Sequence, residues 1–377
     1  MLLAAFEFRS VDRRKAIMIP VMSMADIQKV KGTNGIKVVS TFSGCGGACL
    51  GLEMAGYDVL WANEFIEAAR DTYAANHNGV ILTGDDIRTV SGADILKDIK
   101  MKRGELDLLE GSPPCSSFST AGLIEKGWGR VKNYSDSTQR SDDLFFEYSR
   151  LVKELYPKVF IAENVSGLVK GKAVGYFKEI IRDLKSNGYT VEAKLLDASY
   201  LGVPQARQRL IFVGVRNDLV EKFGVKPVFP KRDNRRFTVL DVIQQNNIYI
   251  DEETETDISL DRYAVGNEWD KTNIGSSSEK YFQLVKPALD KPIGTITATA
   301  GLMSAASVVH PLEKRKFNLQ ELRAFQSFPQ DFILTGSYAQ RVERIGRSVP
   351  PLMYKAVGDV LLKEIFEVVN GYTRQTT

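Results

Sequence analysis

From residue 36 onward, short apolar runs alternate with amphipathic stretches, and this alternation limits the fold more than any other feature of the chain. Helical patterns at 48–55, 66–76, 144–155 and 177–187 lie between runs that are typical of buried strands. Strands that alternate with helices build a parallel, doubly wound sheet. We therefore predict an α/β fold around a mostly parallel, Rossmann-like sheet, with strands at 36–42, 59–64, 80–83, 106–109, 159–162, 190–196 and 209–215.

The alternation stops after Val215, and the chain divides there. The following residues are polar and loop-rich, with an acidic run at 251–261. Helical patterns return at 319–325, where Asn318 is a plausible N-cap, and at 351–369. We predict an N-terminal extension at 1–35, a sheet domain at 36–216, a smaller loop-rich domain at 217–290, and a C-terminal segment at 291–377 that returns to the sheet domain.

The composition is that of an ordinary globular protein and argues against a disulfide-rich, a metal-binding or a membrane-spanning protein. Three cysteines among 377 residues cannot form a disulfide framework, which favours a reducing cytoplasm. Cys45 and Cys49 have no further cysteine or histidine near them in the chain, so we expect no metal site. No apolar run approaches the roughly 18 residues of a membrane span. We expect a cytoplasmic protein, with Met22 or Met24 as an alternative start.

The third cysteine has a different setting. The predicted strand at 106–109 is followed closely by Pro113, Pro114 and Cys115. Two prolines cannot continue a helix or a paired strand, so the thiol is presented on an extended turn at a strand end. Parallel α/β sheets hold their chemistry at such ends. Cys115 is therefore a candidate nucleophile, whereas a structural cysteine is expected on an apolar face.

The first predicted strand ends in a glycine-rich turn that opens a helix. After Phe42, the residues Gly44, Gly46 and Gly47 let the backbone approach a ligand closely, and the helix N-terminus offers free N–H groups. The dinucleotide fingerprint needs a third glycine where this chain has Cys49, which disfavours a pyrophosphate site and an oxidoreductase. A nucleoside cofactor without a pyrophosphate is compatible with this turn.

Acidic and apolar residues follow the next two predicted strands. Glu64, twenty residues after Gly44, is placed to accept hydrogen bonds from ribose hydroxyls. Asp86 offers an acceptor for an adenine amine, and Ile87 offers an apolar face for its ring. Each feature alone is weak, but three successive strand ends together predict a nucleoside pocket.

Charged residues follow two later strands. Glu163 comes directly after the strand at 159–162 and is either an acid beside Cys115 or a helix N-cap. Gln205 begins a Gln-x-Arg-x-Arg segment whose Arg207 and Arg209 lie on one face of a strand. That spacing suits recognition of an anion or a base carbonyl, and the alternative is a pair of solvated arginines.

The net charge of +3 neither demands nor excludes a nucleic-acid partner, but the charge is unevenly spread. Residues 226–236 hold five basic side chains against one acidic, including Lys231, Arg232, Arg235 and Arg236. This basic stretch is either a phosphate-facing patch or a solvated surface.

Taken in order, these motifs resemble the C5-cytosine-specific DNA methyltransferases over roughly residues 36–365. Pro-Pro-Cys followed by Glu-Asn-Val and Gln-x-Arg-x-Arg is highly specific for that family. The matching motifs begin with Phe-Ser-Gly-x-Gly-Gly at residue 42 and Gly-Asp-Asp-Ile at residue 84, and they end with Ile-Gly-Arg-Ser-Val-Pro at residue 345.

The resemblance implies a class I methyltransferase fold, S-adenosylmethionine as cofactor and a flipped cytosine as substrate. Cys115 would add to C6 of the base, Glu163 would serve N3, and Arg207 and Arg209 would hold O2 and a phosphate. The loop after Cys115 would close over the base. The implied cofactor residues are Phe42, Gly44, Gly46, Gly47, Glu64, Asp86, Ile87, Pro113 and Ser348, and the implied DNA contacts are Ser119, Gln205, Lys231, Arg232, Arg235 and Arg236.

Three positions depart from the family pattern. Arg347 replaces the usual asparagine and would either pair with the methionine carboxylate or crowd the pocket. Ser116 replaces the glutamine that commonly follows the catalytic cysteine. Asp85 is one acidic residue more than usual, so either it or Asp86 would meet the adenine, with Asp86 preferred because it precedes Ile87.

We therefore predict a DNA (cytosine-5)-methyltransferase that acts on a short sequence of double-stranded DNA, read by the domain at 217–290. It is expected to act as a monomer and to protect DNA from a cognate restriction endonuclease. Two alternatives stay open: an RNA cytosine-5 methyltransferase on the same scaffold, and a catalytically silent DNA-binding regulator.

Overall fold

The computed structural model describes residues 19–114, 132–133, 138–139, 143–171, 173–246 and 257–375. Cys115, Ser116 and Ser119, and nearly all of the predicted loop that follows Cys115, lie outside the described residues.

A seven-stranded sheet forms the centre of the molecule. Its strands are β1 (Lys37–Thr41), β2 (Asp58–Asn63), β3 (Ile81–Thr83), β4 (Leu108–Gly111), β5 (Val159–Val165), β6 (Tyr189–Asp197) and β7 (Gln208–Arg216). They lie in the order β3-β2-β1-β4-β5-β7-β6. β1 to β5 are parallel, whereas β7 is antiparallel to both β5 and β6. The predicted mostly parallel sheet is confirmed.

Helices cover both faces of this sheet. They are α1 (Met24–Val30), α2 (Gly47–Met54), α3 (Glu67–Asn76), α4 (Gly92–Asp98), α5 (Leu144–Leu155), α6 (Ala173–Ser186), α7 (Asn217–Phe223), α8 (Val239–Asn246), α9 (Ala264–Lys271), α10 (Leu319–Gln326), α11 (Tyr338–Arg347), α12 (Pro351–Leu361) and α13 (Glu367–Gln375). One face packs on α4, α5 and α6, and the other on α2 and the C-terminal helices. A π-helical turn, Leu362–Phe366, joins α12 to α13, so the pattern predicted at 351–369 is one interrupted helix.

Local signals explain where the C-terminal helices begin. Asn318 caps α10 and forms a capping box with Glu321, which confirms its predicted role. Ser337 and Gln340 form the same arrangement at the start of α11. Pro351 occupies the first position of α12, where its missing N–H costs no helical hydrogen bond.

The packing of the cores bears on the predicted smaller domain at 217–290. Phe237, Val239 and Val242 belong to the main core, because the apolar face of α8 packs on α10. A separate small core joins Leu260, Val265 and Leu284 to Val309, which lies beyond residue 290. A parallel bridge between Val285 and Val308 ties its two halves together.

The described part of the N-terminal extension is also joined to the sheet domain. Ile27 of α1 is fully buried in the main core. Lys31 Nζ lies 2.9 Å from the buried carboxylate of Glu53. Across the described ranges, no helix is both long and apolar enough to span a bilayer.

Candidate active site

The carboxyl ends of the parallel strands and the start of β7 meet at one edge of the sheet, where a cavity of about 380 Å³ opens. The loops that follow β1, β2 and β4 and the last residues of β5 supply most of its walls, and the turn between α11 and α12 supplies a further part. Ten of the predicted site residues line it: Phe42, Gly44, Gly47, Glu64, Ile87, Pro113, Glu163, Arg207, Arg209 and Ser348.

The glycine turn and the end of β2 are joined at one side of the cavity. Gly44 has φ +58°, and a Cβ there would have no heavy atom within 4 Å, so its backbone is open to a ligand. Its N–H donates to Glu64 Oε2 at 2.7 Å, and Ile66 N–H donates to Oε1 at 2.7 Å. Burial raises the pKa of Glu64. Ile66 and Ile87 give this side an apolar surface.

Two predicted cofactor residues face elsewhere. Gly46 has φ +94°, and a Cβ there would overlap the ring of His77, so this glycine accommodates a buried imidazole and not a ligand. Asp86 lies outside the cavity lining, because its carboxylate accepts hydrogen bonds from the backbone and guanidinium of Arg88. Arg88 also pairs with Asp143 at 2.6 Å.

The turn that leads to Cys115 is held by its neighbours. Asn164, the middle residue of Glu-Asn-Val, donates from Nδ2 to the carbonyl oxygen of Pro113 at 3.2 Å. Its Oδ1 accepts from its neighbour Val165 N–H at 2.9 Å. The turn is thereby tied to the end of β5, and Pro114 is the last described residue before Cys115.

Glu163, which is buried, and Arg209, which is partly buried, form an ion pair in the cavity wall. Arg209 Nε lies 2.6 Å from Glu163 Oε1. Burial raises the pKa of Glu163, and the charges of Arg209 and Arg207 partly offset that effect. The carboxyl can therefore hold a proton more readily than an exposed glutamate. The alternative role of Glu163 as a helix N-cap is excluded, because it lies within β5.

Arg207 is among the most deeply buried side chains of the protein, with 1% exposure. Its terminal nitrogens donate to Ile296 O at 3.2 Å and to Gly346 O at 2.8 Å. Its Nε has no hydrogen-bond partner among the described residues. Burial lowers the pKa of Arg207, and the nearby charge of Arg209 adds to that effect while Glu163 opposes it. The alternative of a solvated pair of arginines is excluded.

Gln205, predicted as a DNA contact, faces the interior of the protein. Its side chain is fully buried, and both the nitrogen and the oxygen of its amide form hydrogen bonds. Nε2 donates to Phe325 O and to Gln326 Oε1, and Oε1 accepts from Ile296 N–H at 3.1 Å. Gln326 in turn donates to Ser348 O at 2.7 Å. The segment faces inward because Gln205 joins the C-terminal helices to the loop before β7.

The last motif closes the cavity next to the glycine turn. A Cβ on Gly47 would overlap Ser348 Oγ and Val349 O, so this position admits only glycine. Arg347 is 44% exposed in its side chain and pairs with Glu343 at 2.8 Å along α11. It lies at the cavity rim and does not fill the cavity. Cys45 also lines this part, and burial raises the pKa of its thiol to about 11.

The basic stretch is exposed and lies on the same edge of the sheet. Residues 231–236 are all exposed. The guanidinium carbons of Arg232 and Arg236 lie 5.0 and 4.6 Å from the ring centre of Tyr200. Tyr200 follows the carboxyl end of β6, where Leu196 is paired with Arg209. The stretch is thus anchored a short distance along the chain from the cavity wall.

Sequence reasoning missed several lining residues. Ser43, Asn63 and Asn164 adjoin residues that were identified, and their position at strand ends is the signal that was available. Arg344 is 3% exposed and lines the cavity from α11. It has no distinguishing neighbour in the chain, so only packing identifies it.

Comparison with known proteins agrees with this geometry. The family model described as C-5 cytosine-specific DNA methylase matches residues 36–363. The Type II methyltransferase M1.HphI of Haemophilus parahaemolyticus is 31% identical over 341 residues, which cover 86% of each chain. The Type II methyltransferase M.PspPI of Psychrobacter sp. (strain TA137) is 30% identical over 92% of this chain and 85% of the relative.

Solved structures share the fold at lower identity. A DNA modification methyltransferase encoded within an Escherichia coli prophage superposes with a TM-score of 0.63 and 21% identity, over 89% of this chain and 99% of the other. Dnmt2 methyltransferase of S. pombe gives a TM-score of 0.59 and 17% identity, over 87% of this chain and 98% of the other. These likenesses support the class I methyltransferase fold.

The fold and the cavity at its carboxyl edge are those of a class I methyltransferase. The chain belongs to the C-5 cytosine-specific DNA methylases. It is a DNA (cytosine-5)-methyltransferase, with DNA as substrate and S-adenosylmethionine as methyl donor, which confirms the resemblance.

Proposed function

We propose that Cys115 attacks C6 of a cytosine turned out of double-stranded DNA at one short recognition sequence, and that the cavity holds both the cofactor and this base. The observation that carries the proposal is the convergence at one edge of the sheet. The Glu163–Arg209 pair and the turn that ends at Pro114 share one cavity with the glycine turn and Glu64.

The residues on one side of the cavity fit S-adenosylmethionine. The open backbone at Gly44 leaves room for the close approach of a ligand. Glu64 is held by two N–H groups and retains lone pairs for ribose hydroxyls. Ile66 and Ile87 supply apolar contact for an adenine ring. The volume of the cavity lies in the usual range of ligand pockets.

The chemistry follows from the residue types. A thiolate of Cys115 adds to C6 and makes C5 an enamine carbon. The bound cofactor supplies an electrophilic methyl group to that carbon. Glu163, whose pKa is raised by burial, donates a proton or a strong hydrogen bond to N3, where negative charge develops. Removal of the C5 proton then expels Cys115 and restores the aromatic ring.

The two arginines have different parts in this scheme. Arg209 fixes the Glu163 carboxyl and is placed to meet the cytosine O2. The terminal nitrogens of Arg207 donate hydrogen bonds to the carbonyl oxygens of Ile296 and Gly346, so Arg207 joins the loop before β7 to the last motif. Its guanidinium also supplies positive charge beside Glu163. Neither histidine lines the cavity, so no imidazole is available there to deprotonate Cys115. The positive charge of the arginines therefore favours the thiolate form of Cys115.

Recognition of the DNA sequence is assigned to the smaller unit built around Leu260 and Val309, with the basic stretch as a phosphate contact. A compact unit of this kind suits a short recognition sequence. We further propose that the enzyme works as a monomer in the cytoplasm and protects DNA from a cognate restriction endonuclease.

The test is bisulfite sequencing of DNA from an expression host that lacks cytosine methylation of its own. The wild-type protein should methylate cytosines in one short context, and Cys115→Ser should methylate none. Cys49→Ala is the matched control, because that thiol is buried outside the cavity lining. Only Cys115→Ser should also fail to form a covalent adduct with DNA containing 5-fluorocytosine. Methylation by Cys115→Ser would refute the assigned nucleophile.

A further inference from the structure

A buried carboxylate lies in β4, beneath the turn that leads to Cys115. Glu110 is fully buried. Its Oε2 accepts a hydrogen bond from Ser40 Oγ at 2.5 Å, and its Oε1 accepts a longer one from Ser112 Oγ at 3.4 Å. It forms no ion pair with any described residue. An ionised carboxyl is costly to bury without a cation beside it.

Hydroxyl groups connect Glu110 to the cavity. Ser40 Oγ lies 2.8 Å from Ser43 Oγ, and either can be the donor. Ser43 and Ser112 both line the cavity, one on the glycine turn and the other on the turn before Cys115. Glu110 is therefore connected to Ser112 by one hydrogen bond and to Ser43 by two, through Ser40.

The titratable groups that face Glu110 only partly offset the effect of its burial. Burial raises the pKa of Glu110 to about 7, while hydrogen bonds from Ser40, Tyr354 and Ser112 oppose that effect. The facing groups on the surrounding elements are a thiol, three phenols and a carboxyl, namely Cys49, Tyr73, Tyr148, Tyr354 and Glu163.

We propose that Glu110, acting through Ser40 and Ser43, makes the cavity sensitive to the charge of the cofactor and favours the cationic methyl donor over its neutral product. The sulfonium of S-adenosylmethionine is positive, and this charge is lost when the methyl group leaves. An ionised carboxylate beneath the cavity attracts the first molecule more than the second. The inference rests on the proposed assignment of this cavity to the cofactor.

The hydroxyl chain acts in the same direction. An ionised Glu110 only accepts, so Ser40 donates to it, Ser43 donates to Ser40, and the lone pairs of Ser43 face the cavity. A protonated Glu110 can donate, which allows the chain to reverse and Ser43 to present its proton instead. Preference for the cation should therefore be weak below about pH 7 and should strengthen as the pH rises through that value.

The test is calorimetric binding of S-adenosylmethionine and S-adenosylhomocysteine at about pH 6 and about pH 8. In the wild type, the ratio of the two affinities should shift towards S-adenosylmethionine by about three- to tenfold over this interval. In Glu110→Gln the shift should be absent. The exposed Glu105→Gln is a matched control and should behave as the wild type. Ionisation of the ligands themselves is common to all three proteins and cancels.

Equal shifts in the wild type and in Glu110→Gln would overturn the proposal. If Glu110→Gln does not fold, the wild type alone decides, with the α-amino group of each free ligand titrated separately and its proton exchange subtracted. After that subtraction, binding of S-adenosylmethionine at pH near 7 should release protons that binding of S-adenosylhomocysteine does not, and equal release would refute the role of Glu110. Glu64→Gln distinguishes failure of the Glu110 proposal from failure of the cavity assignment on which it rests. Unchanged affinity for both ligands in that variant would refute the cavity assignment itself.

Discussion

At the scale of single residues, His77 has a role that its sequence context did not reveal. Its ring lies beneath the glycine turn. Nδ1 lies 3.0 Å from Glu53 Oε2, and the ring stacks on Tyr73 with centres 4.2 Å apart. Gly46 packs on the other side of this fixed ring. The turn can approach it only because Gly46 has no side chain.

Gly46→Ala should therefore destabilise the protein by about 2–4 kcal/mol, through left-handed backbone strain and overlap with His77. Gly44→Ala is the matched comparison, since it has the same sign of φ but open space around its Cβ, and should cost about 1 kcal/mol. Urea unfolding would measure both values. Equal losses in the two variants would show that His77 is not the constraint.

At the scale of elements, a chain of buried amides holds the site together. Ile296 donates to Gln205, Gln205 donates to Gln326, and Gln326 donates to Ser348. These bonds connect α10, the loop before β7 and the end of α11. Removal of the central amide leaves buried polar groups without partners, which costs more than the net value of the bonds.

Gln205→Ala should lower the free energy of unfolding by about 2–3 kcal/mol. Gln208→Ala, at an exposed position three residues later, should change it by less than about 0.5 kcal/mol. Urea unfolding of both variants would measure this difference. If Gln205→Ala instead retained full stability and weakened DNA binding, the original prediction of a DNA contact would be right and the buried role wrong.

At the scale of the whole molecule, charge is arranged relative to one edge of the sheet. The net charge is small, so the protein as a whole has no strong attraction to DNA. The exposed side chains of the basic stretch nevertheless lie near Tyr200, at the edge that holds the cavity. Lys97 and Lys102 are also exposed, but they precede β4 and lie towards the opposite edge.

Lys231→Ala combined with Arg235→Ala should weaken DNA binding and reduce the slope of log K against log salt by about 2, since each phosphate contact contributes about 0.9. Lys97→Ala combined with Lys102→Ala removes the same charge elsewhere and should leave the slope unchanged. Fluorescence anisotropy at several salt concentrations would measure both. Equal slopes in the two double variants would remove the basic stretch from the DNA interface.

Much of this protein was readable from its sequence. Strand and helix periodicity determined the doubly wound sheet, because alternation of apolar runs and amphipathic helices admits few other arrangements. The motif residues at strand ends were also predictable. Carboxyl ends of parallel strands meet at one edge, so Gly44, Glu64, Pro113 and Glu163 were expected to converge, and they line one cavity.

Tertiary structure alone decided which way individual side chains face. Gln205 and Asp86 carry polar groups suited to ligands. Gln205 is buried and its amide binds Gln326, whereas the carboxylate of Asp86 pairs with Arg88. The bounds of the smaller unit also depended on packing between residues far apart in sequence, such as Leu260 and Val309. The raised pKa of Glu110 has the same origin, because burial is a property of the assembled core and not of the residues next to it in the chain.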